Sequence, residues 1–117
     1  MLMVSRITPR QVVARMAKGE RVAFVDARGD DARKAAGLRL AGAVAVRLPT
    51  IVRDATQVPE QCALVVYGND ERDLDVPRVA NGLRALGFRE VRVLAGGFTA
   101  WSELRYPVQD AGGAAAA

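Results

Sequence analysis

The chain has 117 residues and 12.5 kDa, with seventeen Lys and Arg against thirteen Asp and Glu, a formal charge of +4, one cysteine and no histidine. That length makes one domain of ordinary size, able to bury a core without disulfides or metal. The missing histidine excludes Ser-His-Asp and Cys-His catalysis and any histidine metal site within the chain, and one cysteine leaves no internal disulfide, which fits a reducing compartment.

Met1-Leu2-Met3-Val4 is followed at once by Ser5-Arg6, and no apolar run approaches signal-peptide or membrane length. A cytoplasmic location with no membrane partner is therefore expected. The arginines are scattered from Arg6 to Arg105 with few aromatics between them, so they read as solvated charges. No nucleic-acid partner is expected.

Thr8-Pro9-Arg10-Gln11 is a helix start, with Thr8 as cap, Pro9 at the first position and Gln11 placed to close a capping box. Val12, Val13, Met16 and Ala17 give its buried face, and Gly19 ends it. Arg21-Val22-Ala23-Phe24-Val25-Asp26 reads as a strand that carries Asp26 and Arg28 to its C-terminal edge. A carboxylate beside a guanidinium is usually an ion pair, so these two are expected to form a structural salt bridge or loop anchor. Asp30 to Ala36 is a short helix, Val44-Ala45-Val46 a short strand, and Leu48 to Arg53 a loop with at most one helical turn.

Ala63-Leu64-Val65-Val66-Tyr67 is a continuous apolar run closed by Gly68-Asn69, the pattern of a strand covered on both faces. The next helix has Asp75 as its expected N-cap and Pro77 in the first turn. Its inward face is Val76, Val79, Ala80, Leu83 and Leu86, with Gly87 as a left-handed stop. The loop between, Gly68, Asn69, Asp70, Glu71, Arg72, Asp73 and Leu74, should lie at the C-terminal edge of the sheet above a helix N-terminus, where free N–H groups favour anions. Val91-Arg92-Val93-Leu94 is a last strand, and Gly96-Gly97 opens a short helix whose Phe98 and Trp101 share a core-facing side.

Leu64-Val65-Val66-Tyr67, Leu83-Arg84-Ala85-Leu86-Gly87-Phe88, Val91 through Trp101 with its Gly-Gly-Phe-Thr-Ala-Trp block, and Tyr106-Pro107-Val108 together resemble the second half of a rhodanese-like domain. Val25-Asp26-Ala27-Arg28 is similar to the family's Asp-x-Arg, a resemblance that implies sheet-edge support near the site by Asp26 and Arg28. Gly42-Ala43 resembles the end of its His-Ile-Pro-Gly-Ala turn, with Leu38 where His is usual and Ala41 where Pro is usual. The resemblance runs from about Ile7 to Val108. It implies an α/β fold: a single rhodanese-like domain over residues 1–108, with a mainly parallel five-stranded sheet and helices on both faces. Residues 109–117 follow as a low-complexity Ala/Gly tail.

Sulfurtransferase members of the family carry a cysteine directly after the apolar strand and hold sulfane sulfur on it as a persulfide. In this chain the resemblance puts Gly68 at that position, and the loop is about two residues longer than usual. Its carboxylates, Asp70, Glu71, Asp73 and Asp75 against Arg72, should repel thiosulfate or phosphate. Cys62 stands six residues before Gly68, roughly 20 Å away along a strand.

Three readings follow. The favoured one is a non-catalytic module that binds an unknown protein or small ligand at the loop, with no catalytic residue, cofactor or metal. The second is an active thiosulfate or persulfide sulfurtransferase, or a phosphatase-like enzyme, that uses Cys62 or a partner's thiol. The third is a Ca²⁺- or Mg²⁺-type metal site in the acidic loop, whose spacing lacks the glycine and terminal glutamate of an EF-hand.

Overall fold

The computed structural model describes residues 4–110, the side chains at 31 and 33 excepted. The elements are β1 (Arg6–Ile7), α1 (Pro9–Ala17), β2 (Val22–Asp26), α2 (Asp30–Ala36), β3 (Leu38–Leu40), β4 (Val44–Ala45), α3 (Ile51–Asp54), β5 (Ala63–Tyr67), α4 (Asp75–Ala85), β6 (Val91–Leu94), α5 (Gly97–Glu103) and β7 (Val108–Asp110). Met1 to Met3 and the Ala/Gly run from Ala111 lie outside the described residues.

Five strands form one sheet in the order β1-β6-β5-β2-β4, every neighbouring pair parallel. All five residues of β5 are buried, and they divide between two cores by the period-two alternation of a strand. Leu64 and Val66 join Val25, Val76, Val79 and Leu83 beneath α4. Val65 and Tyr67 join Phe24, Val12, Leu94 and Trp101 beneath α1 and α5. An all-parallel sheet needs both faces covered, and here helices cover both.

Local signals set the helix ends. Thr8 Oγ1 accepts from the Gln11 N–H at 3.1 Å while Gln11 Oε1 accepts from the Thr8 N–H at 2.9 Å, a closed capping box that fixes the entry of α1. Gly87, at φ +106°, ends the α4 region in a conformation costly for other residues. The indole of Trp101 is buried, edge-on to Phe24 and to Tyr106 at 5.1 Å each, and its Nε1 donates to Pro107 O. As expected, it is core.

Several expectations are corrected. Met16 is 44 % exposed and Ala17 is exposed, so α1 buries a narrower stripe than its four apolar residues suggest. Leu86 is 45 % exposed because α4 ends at Ala85 and the chain is already turning away at the next residue. Residues 48–53, expected as a loop with at most one helical turn, are helical throughout: a 3₁₀ turn over Leu48–Thr50 runs into α3, and a second 3₁₀ turn follows over Ala55–Gln57. Asp54 holds them, accepting from the Arg47 N–H and from Thr50 Oγ1. Leu38–Leu40 is a strand, paired antiparallel with β7 in a small second sheet that reaches Asp110, two residues beyond 108.

Candidate functional site

The strands β2 and β5 end side by side, with Asp26 in register with Tyr67. Beyond them the chain supplies a buried ionic centre. Arg28 is 0 % and Asp26 1 % exposed. The guanidinium grips the carboxylate through two bonds, Nε to Oδ1 at 3.0 Å and Nη2 to Oδ2 at 2.8 Å, the fork geometry that only arginine offers. Its Cζ lies 4.7 Å from the ring centre of Phe98 and 5.4 Å from that of Tyr67. Tyr67 Oη donates to Asp26 Oδ2 at 3.0 Å and accepts from the Leu40 N–H, while Arg28 Nη2 also reaches Leu38 O. Burial pulls the Arg28 pKa down, but the bonds to Asp26 outweigh it and hold it above its ordinary value. Burial first, then the Asp26 charge, pushes the Tyr67 phenol well up. Asp26 and Arg28 thus form a buried ion pair, and Arg28 Nη2, through Leu38 O, ties β3 to the main sheet.

After Tyr67 comes the buried Gly68 and the loop to Leu74. A Cβ on Gly68 would stand 2.5 Å from Val76 Cγ2, 2.6 Å from Asp73 Oδ2 and 2.9 Å from Asp73 Cβ. No real side chain tolerates such distances without displacing its neighbours. On its other side the loop lies against α5: Gly68 O accepts from the Phe98 N–H at 2.8 Å, and Asn69 O accepts from the Thr99 N–H and from Thr99 Oγ1. Gly97 permits this approach, since a Cβ there would meet Gly68 O at 2.6 Å and Asp70 N at 2.9 Å.

Several of the N–H groups expected to attract an anion are occupied by the loop itself. Asp70 Oδ1 accepts from the Arg72 N–H at 2.8 Å, Asp73 Oδ1 from the Asp75 N–H at 3.1 Å, and Asp73 O from the Val76 N–H at 3.3 Å. The cap of α4 is thus Asp73, not Asp75, which sits inside the first turn behind a capless Leu74. The loop's negative charge is also largely compensated. Arg72 pairs with Asp70, Arg6 with Glu71 and Arg78 with Asp75. The Arg72 side chain, and then its N–H, hold the Asp70 carboxyl below the usual carboxylate range. Two of these arginines come from outside the loop, so repulsion of anions is weaker than its own composition implies. Among the described residues, no three His, Cys, Asp or Glu are gathered as a metal would need.

The sequence profile of the Rhodanese-like domain matches residues 8–104.

The chain belongs to the rhodanese-like domain family.

Solved structures are similar over most of their length. A Bacillus halodurans protein, BH2092, shares 19 % identity with a TM-score of 0.76, covering 92 % of this chain and 78 % of that one. A Lactobacillus plantarum protein shares 21 % with a TM-score of 0.74, covering 89 % and 87 %. The Alr3790 protein from Anabaena sp. shares 25 % with a TM-score of 0.71, covering 89 % and 82 %. No curated protein matches the chain.

In this rhodanese-like domain the single thiol is remote from the loop. Cys62 precedes β5 and Gly68 follows it, so the strand's full length separates them. Cys62 lines a groove at the N-terminal edge of the sheet, while Gly68, Asp73 and Val76 line a smaller cavity of about 370 Å³ at the other. That smaller cavity has an apolar floor that includes Val4 and Val93, and a charged rim of Arg6, Asp70 and Glu71.

Sequence reasoning placed the loop and the Asp26–Arg28 pair but missed what surrounds them. The Asp-x-Arg and Asp-x-Asp spacings at 70–72 and 73–75 are Asx-turn signatures and announce self-capping. No comparable signal marks Tyr67 and Phe98 as the aromatic walls of Arg28, because they come from β5 and α5.

Proposed function

We propose that this rhodanese-like domain is a non-catalytic module, binding a protein or small-ligand partner at the cavity beside the loop of residues 68–73. One observation carries the reading: the space a side chain at position 68 would need is filled by Asp73 and Val76. By the family resemblance, this is where sulfurtransferases keep their nucleophile. A thiolate is the group that persulfide chemistry cannot omit. The self-capped loop supports the reading further, since its Arg72, Asp75 and Val76 N–H groups already have acceptors within the chain. The competing enzyme reading would need Cys62, a strand's length away, or a thiol lent by another chain.

The test is sulfur transfer from thiosulfate to cyanide by the full chain. The expected rate equals that of a protein-free blank. Turnover that disappears in Cys62→Ala would overturn the proposal in favour of a thiol enzyme.

A further inference from the structure

At the opposite end of the sheet from the loop lies the larger cavity, a groove of about 1030 Å³. Its walls are Val52 of α3 with the segment that leads from α3 to β5, and the connection from α4 to β6, and its apolar surface is left open: Val52 is 69 % and Leu86 45 % exposed, with Phe88 half-buried. Half of the charges lining it are mutually satisfied. Arg15 binds both Glu20 and Glu90, and Glu90 also binds Arg92. Arg21 and Arg89 line the same groove with no ion-pair partner among the described residues, against one carboxylate in the same condition, Glu60. Gln61, on the rim beside Cys62, holds φ +60°, a conformation that a non-glycine residue keeps only when its surroundings impose it.

Exposed apolar side chains beside two unpaired guanidiniums suit a ligand with an apolar body and one carboxylate, which arginine can bind through two bonds. The groove's volume is at the upper end of what small-molecule sites offer. The geometry points to a binding site for small amphiphilic carboxylates at the N-terminal edge of the sheet. Cys62 serves here only as a reporter. This site is separate from the loop, so its failure would leave the reading of the loop untouched.

The full chain is titrated with octanoate and, separately, with octylammonium, following backbone amide resonances and the rate of Cys62 alkylation by iodoacetamide. Octanoate is expected to shift resonances of Val52, Gln61, Leu86 and Phe88 saturably and to slow alkylation. Octylammonium should bind at least about tenfold more weakly, and the exposed double variant Arg21→Gln with Arg89→Gln should weaken octanoate by about tenfold, the scale of one charge-assisted hydrogen bond. Equal binding of the two probes, unsaturable shifts, shifts centred elsewhere, or octanoate affinity unchanged in the double variant would each overturn the assignment.

Discussion

Asp73 occupies the space above Gly68: its Oδ2 lies 2.6 Å and its Cβ 2.9 Å from the point where a Cβ on Gly68 would project. The same carboxylate caps α4 through its other oxygen, accepting from the Asp75 N–H. Filling the space and closing the helix are therefore one act by one side chain. It is held between β5 and α4 and cannot swing away without uncapping the helix.

Gly68→Cys is accordingly expected to yield no sulfur transfer, and Gly68→Ala to destabilise the fold by about 1–3 kcal/mol through overpacking. Asp73→Ala removes the cap at a cost of about 1 kcal/mol yet makes room. Combined with Gly68→Ala it should cost less than the sum of the two single changes. Urea unfolding of the four chains measures this coupling. Strict additivity, or full activity in Gly68→Cys alone, would show that the space is not closed.

The buried centre at Arg28 should be the most sensitive ion pair in the molecule. Arg28→Met leaves the Asp26 carboxylate buried without its cation, and removing one partner of a buried pair costs about 3–5 kcal/mol. Tyr67→Phe, which strips a donor from Asp26 and an acceptor from the Leu40 N–H, should cost about 1–3 kcal/mol. By contrast, Arg72→Ala at the surface should change stability by less than about 1 kcal/mol. Comparable losses at Arg28 and Arg72 would contradict this ordering.

Tyr67 also predicts an alkaline limb. Its phenol stays protonated in the fold above the ordinary value of 10.0, while in the unfolded chain it ionises there. The unfolded state then binds fewer protons than the fold, so stability falls as pH rises past 10.0. Tyr67→Phe should flatten that fall in denaturation midpoints taken across the range.

Asp54 predicts the acid limb with the opposite sign. Burial pushes its carboxyl up, but the Arg47 N–H, the Thr50 hydroxyl and Arg53 outweigh that and hold it below 3.8. Its contribution is complete above 3.8 and is lost as pH drops through the lowered folded value. Asp54→Asn should cost about 1 kcal/mol at neutral pH and make the remaining acid dependence shallower. The check is the same urea titration at stepwise lower pH.

Gly97→Ala should loosen the loop specifically. The residue sits at φ +58°, and a Cβ would press on Gly68 O and on the backbone of Asn69 and Asp70. The amides of Phe98 and Thr99, whose acceptors are Gly68 O and Asn69 O, should exchange hydrogen faster in the variant. Unchanged protection there would mean that the loop is not anchored by this contact.

What the sequence by itself determined was whatever a few consecutive residues decide. The capping box at Thr8 and Gln11, the doubly covered strand at 63–67, the left-handed stop at Gly87 and the nearby Asp26–Arg28 pair are all fixed by short-range geometry or by strand and helix periods. Only the tertiary structure decided the rest. Leu38–Leu40 becomes a strand because Val108–Asp110, about seventy residues away, pairs with it. Leu86 turns outward, Arg6 and Arg78 arrive to neutralise an acidic loop, and Gly97 of α5 lets that loop close. Gly68 could be read as a position without a nucleophile. That the space beside it was already taken depends on how β5, α4 and α5 pack together, and no local pattern encodes such a distance.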